Sequence, residues 1–189
     1  MAPEGTGEVT QDRLHDSPGR TTRVTIVWVA VLVAFVIAHL VVSQEPIRLH
    51  MLRGLLLLMA AGEGQGSFSN LFRPRWFAEH NGRPYDPAYH GVSQDFGFYN
   101  LAFALLFGLA ALNPVRSTTV IAVAIVFYGI HGVTHVLRYF EVYYGGGTPI
   151  PTRSQHVEMA QGLPLVTAAI GMALFFPWTS TWQSVVVSP

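Results

Sequence analysis

Residues 118–139 read TTVIAVAIVFYGIHGVTHVLRY, and this stretch decides how the rest of the chain is interpreted. Its length and lack of charge, apart from one arginine near its end, are typical of a helix that crosses a hydrocarbon core about 30 Å thick. Positions three and four apart on a helix share one face. The polar stripe on this face consists of Tyr128, His131, His135 and Arg138. Polar groups at membrane depth are costly, so the stripe marks a candidate site without defining its chemistry.

The composition around this stretch predicts an all-α, polytopic membrane protein. Half of the residues are hydrophobic and only 12% are charged. The chain has no cysteine, which excludes disulfides and thiolate metal sites. All eleven basic residues are arginine, which also excludes Schiff-base lysines and a phosphate-loop lysine. The net charge of zero gives no reason to expect a nucleic-acid partner.

Outside the stretch, the sequence predicts a short tail and one helical domain. Residues 1–22 are polar and are expected to form a disordered tail, and residues 23–189 a single transmembrane bundle. Three further apolar runs, residues 24–42, 95–112 and 154–176, are each long enough to span. The first is too long for a signal-peptide core and is interpreted as an uncleaved span.

Residues 47–66 are ambiguous, because Arg48 and Arg53 lie in their first two turns. They form either a surface helix or a further span whose arginines reach the headgroups. With five spans, eight arginines lie on one side of the membrane and three on the other; with four spans, four lie inside and seven outside. The positive-inside rule therefore favours five spans in the plasma membrane, a four-span core plus an N-terminal helix, with the N-terminus cytoplasmic and the C-terminus outside.

Residues 67–94 form the longest predicted connection, because prolines, glycines and charges interrupt it. Arg73 and Arg75 flank Pro74 and precede Trp76 and Phe77, a pattern that favours a segment lying on the headgroups. A loop of this length is expected to be a lid or binding element, or else to be disordered.

In the five-span topology, the polar residues collect on one side of the membrane. A rise of 1.5 Å per residue places His131 about 10 Å deeper than Arg138. We therefore expect a polar pocket in the inner-leaflet half, with His131 at its floor and residues 67–94 as its cover. Asp95 is most simply a helix cap. The residues predicted on this side are Glu63, Gln65, Asp95, Asn100, His131, His135, Arg138, His156, Glu158 and Gln161.

Three functional hypotheses follow, and they leave open whether the protein is an enzyme. The first is an accessory or scaffold protein of a larger membrane complex, or a protein that binds a small lipophile, with the stripe making interhelical hydrogen bonds. The second is an intramembrane metal or haem site. Its candidate ligands are His131, His135, His156 and Glu63. Against it, the chain has no Glu-x-x-His pair of the di-iron type.

The third hypothesis is an acid–base site that acts on a lipid or a quinone. Intramembrane ionisable groups of this kind are expected to mark function. The catalytic candidates are His131, His135, Glu158 and Asp95. The candidates for binding a cofactor are Tyr128, Asn100 and Arg138.

Three short motifs resemble the DoxX-like family of small bacterial membrane proteins. They are Arg53-Gly54 followed by four leucines, residues 70–77 (NLFRPRWF) and residues 95–102 (DFGFYNLA). The resemblance covers residues 47–177, which makes the first span an addition. It implies a four-helix membrane core, and some members of the family are linked with quinone or redox partners. It transfers no catalytic residue.

Overall fold

The computed structural model describes residues 18–42, 44–80, 85, 87–139 and 155–176. Within these ranges the protein is all-helical and contains no strand, as the composition predicts. The six α-helices are α1 (Pro18–Val41), α2 (Glu45–Phe72), α3 (Pro74–His80), α4 (His90–Leu112), α5 (Thr118–Tyr139) and α6 (Gln155–Phe175), and a 3-10 turn at Pro87–Tyr89 precedes α4. Helix α5 has the bounds predicted for the stretch that carries the polar stripe.

Local sequence signals account for several of these boundaries. Pro46 lies in the first turn of α2, where its missing N–H costs nothing. Asn113 and Pro114 end α4, and the Asn113 side chain accepts a hydrogen bond from the Arg116 backbone N–H at 3.3 Å. The Ser117 N–H then donates to the Pro114 carbonyl at 3.2 Å, closing a tight turn. Because this turn is short, the consecutive helices α4 and α5 run in opposite directions.

The bundle is built from two antiparallel helix pairs. Helix α2 packs along α4, and α5 packs along α6, while α1 lies against α6. Helix α2 also contacts α6 and joins the two pairs. Fully buried side chains from four helices fill the space between the pairs: Leu52, Leu56, Phe107, Ile121, Tyr128, Met172 and Phe175. Because the helices alternate in direction, α2 and α5 end on the same side of the bundle on which α4 and α6 begin.

Among the residues that the structure describes, three helices are long and apolar enough to cross a membrane. These segments are His90–Leu112, Thr118–Arg138 and Glu158–Phe175, and Thr25–Val41 is a shorter apolar helix. Their outward faces carry bare aliphatic side chains such as Leu109 and Ile130, both more than 60% exposed. Such faces are normal against lipid and unfavourable against water. Apolar helices of this length with bare outward faces indicate a membrane protein.

The predicted loop at residues 67–94 is wrong in large part, because much of it is helical. Helix α2 runs on through residue 66 to Phe72, α3 follows, and α4 begins five residues earlier than predicted. The cause is tertiary packing: Asn70 is buried, donates from Nδ2 to the Gly66 carbonyl at 2.9 Å, and accepts from Ser93 Oγ at 2.9 Å. These contacts hold the end of α2 against α4 and outweigh the helix-weakening glycines.

Arg48 has a structural partner at the opposite end of the bundle. Its Nη2 donates to the Leu174 carbonyl of α6 at 2.8 Å and lies 3.3 Å from His39 Nδ1. The last carbonyls of a helix have no partner within the helix and carry partial negative charge. Arg48 therefore caps α6 across the bundle, whereas the sequence predicted an arginine that reaches outward to the headgroups. His39, near the end of α1, also belongs to this contact.

Candidate functional site

Three ionisable side chains form an unbroken chain between α5 and α6. His135 Nδ1 lies 2.5 Å from Glu158 Oε2, and His135 Nε2 lies 3.0 Å from His131 Nε2. The two imidazole rings are stacked, with their centroids 4.9 Å apart and their planes inclined by 18°. Glu158, His135 and His131 are called the relay cluster below.

The geometry of the relay cluster restricts where its protons lie. When His135 donates Nδ1–H to the Glu158 carboxylate and is neutral, its Nε2 can only accept. His131 must then donate through Nε2–H. If His135 instead carries both protons, it donates to both neighbours. The same heavy-atom positions therefore accommodate either arrangement, and a proton can pass along the chain by short transfers between hydrogen-bonded atoms.

The relay cluster leads from the interior of the bundle to its surface. Glu158 and His135 are 2% and 5% exposed, whereas the ring of His131 is exposed. Phe127 packs edge-on against His131, with ring centroids 5.6 Å apart. His131 is thus the member of the cluster that a molecule outside the bundle can contact.

A close crossing of two glycines positions the relay cluster. A Cβ atom on Gly132 would lie 2.7 Å from the backbone nitrogen of Val166, and one on Gly162 would lie 2.9 Å from the Gly132 carbonyl oxygen. Real Cβ atoms do not approach so closely, so only glycine allows α5 and α6 to meet here. Small residues commonly allow such approaches between membrane helices. Gly162 lies one turn after Glu158, so the crossing sets the distance between Glu158 and His135.

A second polar cluster links α2, α4 and α5. The Tyr128 hydroxyl donates to Glu63 Oε1. In the amide orientation that satisfies its neighbours, Asn100 donates to Glu63 Oε2 at 3.2 Å and to the Phe96 carbonyl at 3.3 Å. Glu63 is half-buried, and both of its carboxylate oxygens have donors, which offsets the cost of removing the carboxylate from water. Tyr128 is almost fully buried, whereas Glu63 and Asn100 are half-buried, so this cluster reaches from the interior of the bundle toward its surface.

The structure thus brings together six of the residues that the sequence singled out, in two groups of three. Asp95 is exposed on α4 and Arg138 is half-buried on α5, and neither appears in the hydrogen bonds of the two clusters. His156 lies in the first turn of α6, but its side chain falls outside the described part of the structure. Within the described part, no group of three or more His, Asp or Glu side chains could hold a metal ion. The metal and haem hypothesis stays a prediction.

The residues that support both clusters are not among those predicted from the sequence. Gly132 and Gly162 are absent from the predicted site, although Gly132 lies between the two histidines. The buried polar contact between Asn70 and Ser93 is also absent, because the sequence predicts a loop over residues 67–94. The available signal is Gly132 beside His131, because small residues mark the face of a membrane helix that packs against another helix.

Comparison with known proteins gives no match: no family model matches the chain, and neither a curated protein nor a solved structure does. The resemblance to DoxX-like proteins therefore remains a prediction.

Proposed function

We propose that this membrane protein binds a small lipophile, of the lipid or quinone class, and exchanges a proton with it through His131. The observation that carries this proposal is the hydrogen-bonded chain from buried Glu158 through His135 to exposed His131. A histidine at the surface of a membrane helix costs free energy unless it has a partner or a use. His135 is the partner that orients it.

The proton moves from the lipophile to Glu158 in three transfers. The hydroxyl of a quinol, or a hydroxyl or ammonium group of a lipid, gives its proton to His131 Nδ1, because His131 Nε2 faces His135. His131 passes the proton on its Nε2 to His135 Nε2, and His135 passes the proton on its Nδ1 to the Glu158 carboxylate. Each step breaks one bond to hydrogen and forms another, so no oxidant or reductant is needed. Glu158 holds the proton away from water until the steps reverse. In these roles His131 is the catalytic residue, and His135 and Glu158 act through it.

The proposal predicts that a lipophile remains bound after mild purification and that His131 is needed to retain it. Mass spectrometry of the extracted protein should find one dominant small molecule in the wild type. We expect about a tenfold loss in the His131→Ala variant, the size of effect that follows from removing a hydrogen bond worth ~1.5 kcal/mol. The matched control is His50→Ala, which removes an exposed histidine from α2. Equal retention in the two variants would reject His131 as the contact.

The same preparation separates the proposal from the metal and haem hypothesis. Elemental analysis and the visible absorption spectrum test for a stoichiometric metal or a haem band. If either appears in the wild type and disappears in both His131→Ala and His135→Ala, the histidines are metal ligands and the proton-exchange proposal fails.

A scaffold or accessory role is the second candidate, and the Glu63 cluster favours it. Both oxygens of Glu63 already have donors from Tyr128 and Asn100, so this cluster behaves as internal packing. Hydrogen bonds between membrane helices contribute about 0.6 kcal/mol on average. A scaffold would co-purify with a larger membrane complex, whereas isolation of a solitary chain with a bound lipophile would count against it.

We further propose five spans in the plasma membrane, with α2 as the second span, the N-terminus in the cytoplasm and the C-terminus outside. The antiparallel packing of α2 along α4 supports this, because α4 is apolar enough to cross. The relay cluster then lies in the cytoplasmic half. The test uses a reporter that is active only outside the cytoplasm. We expect a signal when it is fused after Pro189 and no signal when it is fused before Met1, which is the control. A cytoplasmic signal after Pro189 would contradict the five-span topology.

A further inference from the structure

Three exposed aromatic rings and an exposed arginine lie where α2 ends and α3 begins. Phe68, Phe72 and Trp76 are 51%, 71% and 46% exposed, and Arg73 beside them is also exposed. The Phe68 and Phe72 rings are 5.2 Å apart, and the Arg73 guanidinium lies over the Phe68 ring, 5.7 Å from its centroid. These four side chains are called the aromatic–arginine surface below.

The charge of Arg73 is not neutralised within the described part of the chain. Its side chain contacts the face of an aromatic ring, and no ion pair with a described acidic side chain involves it. Its backbone instead links the two helices: the Arg73 N–H donates to the Ser69 carbonyl, and the Arg73 carbonyl accepts from Phe77 N–H, both at 2.9 Å. These two hydrogen bonds fix the Arg73 backbone at the junction of α2 and α3, and the contact with the Phe68 ring positions the guanidinium there. A site of this kind presents positive charge and flat apolar area together.

We propose that the aromatic–arginine surface binds the headgroup of an anionic phospholipid. It lies at the end of the bundle where α4, one of the apolar helices, begins, which is the depth of the headgroups. Exposed aromatic rings are favoured at this depth, and an arginine there attracts anionic lipid and can hydrogen-bond a phosphate in two places. The inference is independent of the proton exchange proposed for His131.

The test uses Trp76 as the probe in the full chain reconstituted into vesicles. A background variant replaces the other three tryptophans, Trp28, Trp178 and Trp182, by phenylalanine. Vesicles contain equal parts phosphatidylcholine and phosphatidylglycerol, with bromine on the chains of one lipid or the other. Brominated phosphatidylglycerol should quench Trp76 about two- to fivefold more than brominated phosphatidylcholine, as one arginine at the surface implies.

Charge variants decide whether Arg73 is responsible. Arg73→Gln should bring the two quenching values together, whereas Arg73→Lys should keep most of the preference, because it keeps the charge. The matched control is Arg116→Gln, which removes an exposed arginine at the other end of the bundle. Equal quenching by the two lipids in the background variant would overturn the inference, and so would a preference that survives Arg73→Gln unchanged.

Discussion

Replacing His135 by alanine is expected to lower the free energy of unfolding by about 3 kcal/mol, the largest effect of any single change in the relay cluster. The substitution removes the donor that lies 2.5 Å from Glu158 Oε2, and Glu158 is 2% exposed. A buried carboxylate that loses one hydrogen-bonded cation or donor keeps its full desolvation cost with one compensating contact fewer. Unfolding in mixed detergent micelles with increasing dodecyl sulfate measures the change.

Two further variants show whether the expected loss of about 3 kcal/mol in the free energy of unfolding comes from the buried charge of Glu158. Glu158→Gln keeps an acceptor for His135 Nδ1–H but removes the charge, and we expect a loss of about 1 kcal/mol or less. His50→Ala removes an exposed histidine and should change stability by less than about 0.5 kcal/mol. A loss of only about 0.6 kcal/mol in His135→Ala would match an ordinary hydrogen bond between membrane helices. That result would favour the scaffold role over an ionised relay cluster.

The sequence predicted the helix that carries the site better than it predicted the partners of that helix. Helix α5 has its predicted bounds because two local features define them. The proline-containing turn before it defines its start, and the 22-residue run with little charge defines its length. The polar stripe on α5 followed from helical periodicity alone. Pairing between helices cannot be read in this way, because each membrane helix has several apolar faces that could pack.

The end of α2 shows why the rest could not be predicted. Three glycines and the following polar residues are typical of a helix end in isolation. In the structure Ser67, Ser69 and Asn70 are buried, and Asn70 bonds both its own helix and Ser93 of α4. A long-range contact of this kind decides the helix length, and no local pattern encodes it. The pairing of Glu63 with Tyr128, 65 residues later, has the same origin.

Replacing Gly162 by alanine is expected to cost about 2 kcal/mol, although alanine is the better helix former. The new methyl group would lie 2.9 Å from both the Gly132 carbonyl oxygen and His135 Cβ. The first of these atoms belongs to the backbone of α5 and cannot rotate away. Helices α5 and α6 must therefore move apart, and Glu158, one turn from Gly162, moves away from His135.

The matched control is Gly54→Ala on α2, where an added Cβ meets no atom within 4 Å. This change should raise stability by roughly 0.5–1 kcal/mol, because alanine restricts the unfolded chain and favours the helix. If the glycine crossing positions the relay cluster, Gly162→Ala and His135→Ala break the same contact, and the double variant should lose about 1 kcal/mol less than the sum of the single losses. If the stability loss of the double variant equals the sum of the single losses, the glycine crossing does not position the relay cluster. Another contact would then have to fix the position of Glu158.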